Sequence, residues 1–163
     1  MRYVLDSNVF IEAYRRYYAF DLVPQFWTSL IAQAKAGRLG SVDRVKAELD
    51  RGKDPLADWA KSQFAQWFAD TSNSDVLDAY GGVMDWSHAQ AQFTDGAKAE
   101  FARGENADAW VVAYARANGR VVTTQEQFDP NVRNRIPIPN VCRGFGVRYV
   151  DTFQMLRDLG VRL

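Results

Sequence analysis

The sequence predicts one α/β domain over residues 1–163, with a central, mostly parallel sheet of four to five strands in a three-layer α/β/α arrangement. Short apolar segments typical of buried strands alternate with segments whose apolar residues recur at helical spacing. Parallel strands joined by crossover helices account for such an alternation. With 47% hydrophobic and 13% aromatic residues, the 163-residue chain has enough apolar material for a single core.

The first half of the chain is predicted to supply two strands and four helices. Pro24 and Gly37 bound one helix, in the positions that favour those residues. Tyr17 falls on the apolar stripe of the first helix, so we expect it in the core. The elements are a strand at residues 3–5, a helix from Ser7 capped by Ser7 or Asn8, a helix at 24–37, a strand at 38–42, a helix after it capped by Ser41 or Asp43, and a helix at 54–68.

The second half is predicted to end in a clear strand and helix alternation. The helix at residues 107–118 is apolar almost all round, so it is buried, and Gly119 closes it. The loop that follows at 125–140 is longer than most connections, which favours a functional role. The elements are a short strand near Val76 with one or two helices in residues 70–96, the buried helix, strands at 120–124 and 147–150, and a helix from Thr152 to Gly160.

Composition excludes several classes of function. The 20 basic and 20 acidic residues balance, so a strongly basic nucleic-acid binder is excluded and any such role rests on local patches. The single cysteine, Cys142, rules out an internal disulfide framework and fits a reducing, cytoplasmic location. His88 is the only histidine, so a histidine-rich metal cluster is excluded. No segment resembles a signal peptide or a membrane span.

Four carboxylates far apart in the sequence are predicted to meet at one edge of the sheet. Asp6 directly follows the first strand, and Glu126 follows the strand at residues 120–124. Asp108 heads the buried helix that leads back to that strand, and Glu48 borders the buried stripe of the helix after the second strand. Because open parallel sheets bind ligands beyond the carboxyl ends of their strands, this edge is the candidate site.

A divalent cation would offset the repulsion among four carboxylates. Mg²⁺ and Mn²⁺ prefer hard oxygen ligands, and one or two such ions can activate water and stabilise charge on a phosphodiester. Asn8 and Thr124 add neutral groups that can orient ligands or phosphate. Asp43, near Glu48, is a further candidate, although a first-turn helix Asp is the other interpretation.

Each carboxylate also has a purely structural interpretation. Asp6 can cap the helix that follows it, and Asp108 suits the dipole of the helix it begins. Glu48 can pair with Arg44 one turn earlier, and Glu126 can be a solvated loop residue. These four structural explanations are independent of one another, whereas one metal site would account for all four carboxylates at once. Their shared location therefore favours a metal site.

The segments that carry these carboxylates resemble the PIN-domain family of metal-dependent ribonucleases. The resemblance is more specific to a bacterial and archaeal PIN-like branch grouped with the toxins of toxin–antitoxin pairs. It implies cleavage of single-stranded or structured RNA with Mg²⁺ or Mn²⁺, a protein antitoxin as partner, and a homodimer. The matching segments are YVLDSNVFIEA, SVDRVKAEL, ADAWVVAYA, VVTTQE and IPNVCRGFGVRYVDTFQMLRDLGVR.

The resemblance also implies roles for particular residues. In PIN proteins an Asp after the first strand, a Glu on a following helix, an Asp heading a later helix and an acid after a VVT-like strand form the site. The corresponding catalytic and metal-binding residues here are Asp6, Glu48, Asp108 and Glu126. The common pattern ends in Thr, any residue, Asp, whereas this chain has Glu126 at that spacing from Thr124 and neutral Gln125 at that spacing from Thr123. The branch often has an acid where this chain has Asn140, which is therefore a further candidate besides being a possible helix cap.

Arginines near aromatic residues are candidate RNA contacts. Arg15 and Arg16 lie beside tyrosines, a mixture typical of single-strand binders, and Arg133 and Arg135 lie in the long loop. Ordinary solvated charge is the alternative for all four.

Two other functions compete with a nuclease. A haloacid-dehalogenase-type phosphatase also begins with an Asp after the first strand, but it needs a second Asp where this chain has Asn8. The amide cannot serve as that general acid, so we discount this class. A degenerate PIN-like scaffold that binds RNA or protein without cutting is the remaining alternative, and the replacement of the usual fourth Asp by Glu126 is its main support.

Overall fold

A five-stranded parallel sheet runs through the centre of the protein. The computed structural model describes residues 1–163, and the strand order is β3-β2-β1-β4-β5, with every neighbouring pair parallel. The strands are β1 (Tyr3–Leu5), β2 (Leu39–Val42), β3 (Phe68–Ala69), β4 (Val121–Thr123) and β5 (Tyr149–Val150). The predicted α/β architecture with a parallel sheet of up to five strands is thereby confirmed.

Nine α-helices connect and cover these strands. They are α1 (Ser7–Glu12), α2 (Pro24–Lys35), α3 (Asp43–Arg51), α4 (Pro55–Trp59), α5 (Ser74–Ala89), α6 (Asp95–Phe101), α7 (Asp108–Asn118), α8 (Ile138–Phe145) and α9 (Thr152–Asp158). α1 continues as a π-helical turn over Ala13–Tyr17, and α4 continues through π and 3₁₀ turns over Ala60–Phe64 and Ala65–Trp67. None of the helices is both long and apolar enough to cross a lipid bilayer.

The burial of the central strand β1 shows that helices cover both faces of the sheet. Successive strand residues point to opposite faces, yet Tyr3, Val4 and Leu5 are all fully buried. Strands buried on both faces are characteristic of parallel sheets flanked by helices. The buried helix α7 packs against β1, β2 and β4, and Gly119 ends it with φ +63°, a conformation that favours glycine. The carboxyl ends of β1, β2 and β4 therefore meet at one well-supported edge.

The short strand predicted near Val76 is wrong. Val76 lies in the first turn of α5, where its N–H donates to the Asn73 side chain, which caps the helix. This cap overrides the strand preference of the Val-Leu pair. The strand of this region is β3, which pairs with β2 in the register Ser41 to Phe68.

The first helix differs from its prediction at both ends. Asp6, one of the candidates from the sequence, occupies the cap position instead of Ser7 or Asn8, but its side chain makes no capping hydrogen bond. The α-helical pattern gives way to the π-turn after Glu12, which rotates the later residues out of the expected stripe. Tyr17 is consequently 51% exposed instead of being in the core.

Candidate acidic site at the carboxyl edge of the sheet

The structure brings together the four carboxylates that the sequence singles out. Asp6 immediately follows β1, Glu126 lies three residues beyond the end of β4, and Asp108 is the first residue of α7. Glu48 lies on α3, which begins directly after β2. Because the strands are parallel and adjacent, these four positions share the carboxyl edge.

Asp6 is the most deeply buried member of this group. Its side chain is fully buried, and its two oxygens accept hydrogen bonds from the hydroxyls of Thr124, at 3.0 Å, and Ser7, at 3.3 Å. Burial raises the pKa of Asp6 to about 7, and repulsion from Glu126 and Glu48 adds to this rise. The hydrogen bond from Thr124 opposes it by favouring the charged form.

Burial also perturbs the pKa values of two other carboxylates that lie close to Asp6, those of Asp108 and Glu126. Burial raises the pKa of Asp108 well above its usual range, and the nearby charges of Asp6, Glu126 and Glu48 raise it further. Burial also raises the pKa of Glu126, whereas the N–H of Ile138 and the charge of Arg135 lower it. Like charges therefore face one another at this edge without enough cations to neutralise them.

Both glutamates use one oxygen to hold the start of a helix. The N–H of Ala107, at the cap of α7, donates to Glu48 Oε1 at 2.7 Å. The N–H of Ile138, the first residue of α8, donates to Glu126 Oε2 at 2.7 Å. Each bond satisfies a helix-terminal N–H that has no partner within its own helix. The alternative interpretation of Glu48, a pairing with Arg44, is not found among the ion pairs of the structure.

Two adjoining depressions open at this edge. The first, which we call the acidic cleft, has a volume of about 360 Å³, and Asn8, Glu48, Asp108 and Glu126 line it. Ser7 also lines the acidic cleft, and Asp6 is buried directly beside it. The second depression is larger, about 670 Å³, and shares Asn8 and Glu126 with the first.

The chemistry of the donor set suits a hard divalent cation, because every candidate ligand is a carboxylate, amide or hydroxyl oxygen. The side chains are not, however, arranged as a preformed metal site: no three acidic, histidine or cysteine residues are placed to hold one ion. One oxygen each of Glu48 and Glu126 points to a backbone N–H instead. Binding an ion here therefore requires side chains to move towards one another.

Two further candidate residues make structural contacts away from the acidic cleft. Asp43 does not cap α3, and neither does Ser41; the carboxylate of Asp43 accepts hydrogen bonds from the N–H and hydroxyl of Thr71. Asn140 is not a helix cap, since α8 begins two residues earlier, and its side-chain amide bonds to the N–H and carbonyl of Asp129. Asp43 thus links α3 to the segment after β3, and Asn140 fixes the long loop.

The four arginines proposed from the sequence are all exposed, and only one of them lies against the carboxylates. Arg135 approaches Glu126 to 3.8 Å. Arg16 pairs with Glu12 at 3.4 Å, whereas Arg15 and Arg133 are exposed without an ion pair. Three other arginines that the sequence pattern did not single out line the two depressions: Arg51, Arg103 and Arg143.

Comparisons with known proteins agree on the fold. FitAB bound to an IR36 DNA fragment aligns with a TM-score of 0.54 at 16% identity, over 91% of this chain and 94% of that one. VapBC2 from Rickettsia felis, bound to a DNA fragment from its promoter, aligns with a TM-score of 0.54 at 17% identity, over 93% and 98% of the two chains. These likenesses support the PIN-like fold that the sequence resemblance implies.

Sequence comparison is informative at the level of the family alone. No curated protein matches the chain significantly. The model of a family described as a domain of unknown function (DUF4411) matches residues 3–163, which is nearly the whole sequence. The chain therefore belongs to the DUF4411 family.

Proposed function

We propose that the protein is a metal-dependent endoribonuclease that cleaves single-stranded RNA with a water molecule as nucleophile. The observation that carries the proposal is the crowding of Asp6, Asp108 and Glu126, whose pKa values are all raised, at the carboxyl edge of the sheet. Such mutual repulsion costs stability and is typical of groups kept for function rather than for folding. A divalent cation is the natural counter-charge for them.

The proposed metal ligands are Asp6, Glu48, Asp108 and Glu126. A bound Mg²⁺ or Mn²⁺ would supply an activated water and stabilise charge on the phosphodiester oxygens. The hydroxyl of Thr124 donates to Asp6 Oδ2 at 3.0 Å and so fixes the orientation of that carboxylate. Cleavage in this way leaves a 5′-phosphate and a 3′-hydroxyl.

Neither the single histidine nor the single cysteine of the chain competes as a catalytic base or nucleophile. His88 is exposed on α5, and its Nδ1 lies 2.8 Å from the carbonyl oxygen of Met84. Cys142 is fully buried, and burial raises the pKa of its thiol to about 12, so it is held as the unreactive thiol. Hydrolysis by an activated water needs neither residue.

We further propose that the nuclease is the toxin of a toxin–antitoxin pair, with a protein antitoxin as partner. The end-to-end resemblance to PIN-like toxins supports this role, and the fold likeness to FitAB and VapBC2 is consistent with it. A homodimer remains a prediction from the resemblance.

A PIN-like scaffold that binds without cutting is the second candidate, and one observation favours it. No three acidic side chains are placed together to hold an ion, and both glutamates are engaged with backbone N–H groups. In this alternative the carboxylates maintain the fold, and the protein acts by binding alone.

Metal titration combined with an RNA cleavage assay separates the two candidates. The wild type, Asp6→Asn and Asp108→Asn would be titrated with Mn²⁺ by calorimetry and incubated with a mixed-sequence single-stranded RNA. Asp50→Asn is a matched control, because Asp50 is an exposed acid on the same helix as Glu48 and pairs with Lys46. The amide replacements keep the size of the side chains and remove only their charge.

The nuclease proposal predicts that the wild type and Asp50→Asn bind Mn²⁺ and cleave the RNA, whereas Asp6→Asn and Asp108→Asn lose both activities. A wild type that binds no Mn²⁺ and leaves the RNA intact would overturn it in favour of the scaffold. Cleavage that survives in Asp6→Asn would show that the nuclease activity does not depend on this cluster.

A further inference from the structure

The larger depression beside the acidic cleft has the composition of a nucleotide-binding surface. We call it the aromatic groove and define it by Tyr17, Gln125, Phe128, Arg143, Tyr149 and Phe153. Its volume of about 670 Å³ lies within the range of about 300–1,000 Å³ that is usual for small-ligand sites. Nothing in the proposed metal chemistry requires these side chains.

Two exposed aromatic residues form one wall of the groove. Tyr17, from the π-turn after α1, and Phe153, from the first turn of α9, lie edge to face with ring centroids 5.8 Å apart. They are 51% and 38% exposed, although large aromatic side chains are usually buried more completely. Exposed ring faces beside a groove are the surfaces on which unpaired bases stack.

The groove also contains a cation without a carboxylate partner. The guanidinium of Arg143 lies 3.7 Å from the centre of the Phe128 ring, and its Nε donates to the hydroxyl of Tyr149 at 3.3 Å. Arg143 takes part in none of the ion pairs of the structure. The aromatic contact orients the guanidinium and leaves its charge available to an anion.

The acidic residues of the groove, in contrast, are already engaged. Glu12 pairs with Arg16 at 3.4 Å, and Asp151 caps α9 by accepting from the N–H of Gln154 at 2.7 Å. Glu126 accepts from the N–H of the first residue of α8. Glu126 and Asp151 keep their negative charge, and Arg143 is the one charged side chain of the groove that neither an opposite charge nor a helix N–H engages, so it is the group that can contact a phosphate.

The groove is continuous with the proposed site of cleavage. Asn8 and Glu126 line both the aromatic groove and the acidic cleft, so a strand held in one runs directly past the carboxylates of the other. Glu126 also fixes the start of α8, the helix that carries Arg143. Glu126, one of the proposed metal ligands, thus helps to position the helix that carries the guanidinium of Arg143.

We infer that the aromatic groove binds one nucleotide that flanks the cleaved phosphodiester, with its base against Tyr17 and Phe153 and its phosphate on Arg143. The inference rests on the proposed function for the identity of the ligand as single-stranded RNA. Stacking on ring faces tolerates any base, so the groove accepts unpaired nucleotides and excludes a continuous duplex.

Fluorescence anisotropy of a labelled single-stranded RNA dodecamer in EDTA tests this inference without any cleavage. Tyr17→Ala and Phe153→Ala should each weaken binding about 5- to 150-fold, the loss expected for one stacked base. Tyr17→Phe should bind like the wild type, because the ring remains. Arg143→Gln should reduce the slope of log affinity against log salt by about 0.7, the value for one phosphate contact on a single strand.

Matched controls lie outside the groove. Leu22→Ala removes a side chain that is 73% exposed, and Arg116→Gln removes a guanidinium that also lies over an aromatic ring, Phe145, at 4.3 Å. Neither should change RNA affinity by more than twofold. Since the groove residues are exposed, thermal unfolding should remain close to that of the wild type in all variants, which would exclude misfolding as the cause.

The outcomes separate this inference from the proposed function. RNA binding in EDTA that depends on Tyr17, Phe153 and Arg143 would support the aromatic groove as a nucleotide site. If the same protein then failed to cleave RNA with Mn²⁺, only the proposed nuclease activity would be overturned. Cleavage by the wild type together with unchanged RNA affinity in every groove variant would overturn only the groove. In that second case the groove would instead be a candidate binding site for a segment of a protein partner.

Discussion

Replacing Asp6 with asparagine should stabilise the metal-free protein at alkaline pH. The carboxylate is fully buried and is repelled by Glu126 and Glu48. An asparagine has the same shape and retains an oxygen that can accept the hydrogen bond from the Thr124 hydroxyl. The substitution therefore removes a buried charge while it preserves the local packing.

The size of this effect follows from the pKa of Asp6. The pKa rises from 3.8 in the unfolded chain to about 7 in the folded protein, so the folded state binds the proton more tightly. The stability that this group contributes is fully present below pH 3.8 and is lost as the pH rises through about 7. At roughly 1.4 kcal/mol for each pH unit, the complete loss amounts to about 4 kcal/mol. Because Asp108 and Glu126 still titrate in the variant, we expect a gain of about 2–4 kcal/mol at pH 8.

Urea unfolding in EDTA at several pH values between 5 and 8.5 measures this directly. The free energy of unfolding should fall with rising pH in the wild type and fall less steeply in Asp6→Asn, so that the two curves diverge towards pH 8. Asp50→Asn should follow the wild type, since Asp50 is exposed. Parallel curves, or an Asp6→Asn protein that is less stable than the wild type at pH 8, would refute the reasoning.

Three further predictions concern the surroundings of the site. Asp43→Ala should lower the free energy of unfolding in urea by about 1–3 kcal/mol, because buried Thr71 loses both of its bonds to that carboxylate; an unchanged midpoint would contradict this. Gly144→Ala should cost about 1–3 kcal/mol by the same measurement, since a Cβ there would lie 2.7 Å from ring atoms of Trp86; a stability equal to that of the wild type would mean that the indole swings aside without cost. Cys142 should react with a thiol reagent at pH 8 only after unfolding, because burial raises its pKa to about 12, and prompt modification of the folded protein would disprove its protection.

The acidic edge of the sheet could be predicted from the sequence because each acid is placed by its immediate neighbours in the chain. Asp6 stands directly after an apolar strand, and Asp108 directly begins a helix that is apolar almost all round. The rule that parallel strands end at a common edge then brings these acids together without any knowledge of side-chain packing. Gly37 and Gly119 ended their helices as predicted, with φ of +71° and +63°.

The errors arose where tertiary contacts decide between equally good local patterns. Asp43 is a first-turn acid of α3, as its sequence context indicates, but that context could not show that its carboxylate bonds to Thr71, 28 residues away. Tyr17 fits the apolar stripe of an uninterrupted α-helix, and only the π-turn moves it to the surface. The groove was missed for the same reason, since no short motif connects Tyr17 with Phe153 or Phe128 with Arg143.

The hydrogen bonds of Glu48 and Glu126 to the starts of α7 and α8 have a consequence for how this family can change over time. One oxygen of each glutamate accepts a hydrogen bond from a helix-terminal N–H, and the second oxygen of Glu126 lies 3.8 Å from the guanidinium of Arg135. A relative without the proposed activity would still be under selection to keep both acids, because the loss of either one would leave a helix-terminal N–H unpaired. The presence of these two residues in a relative would therefore not by itself indicate the proposed nuclease activity, which would have to be judged from the residues at the positions of Asp6 and Asp108.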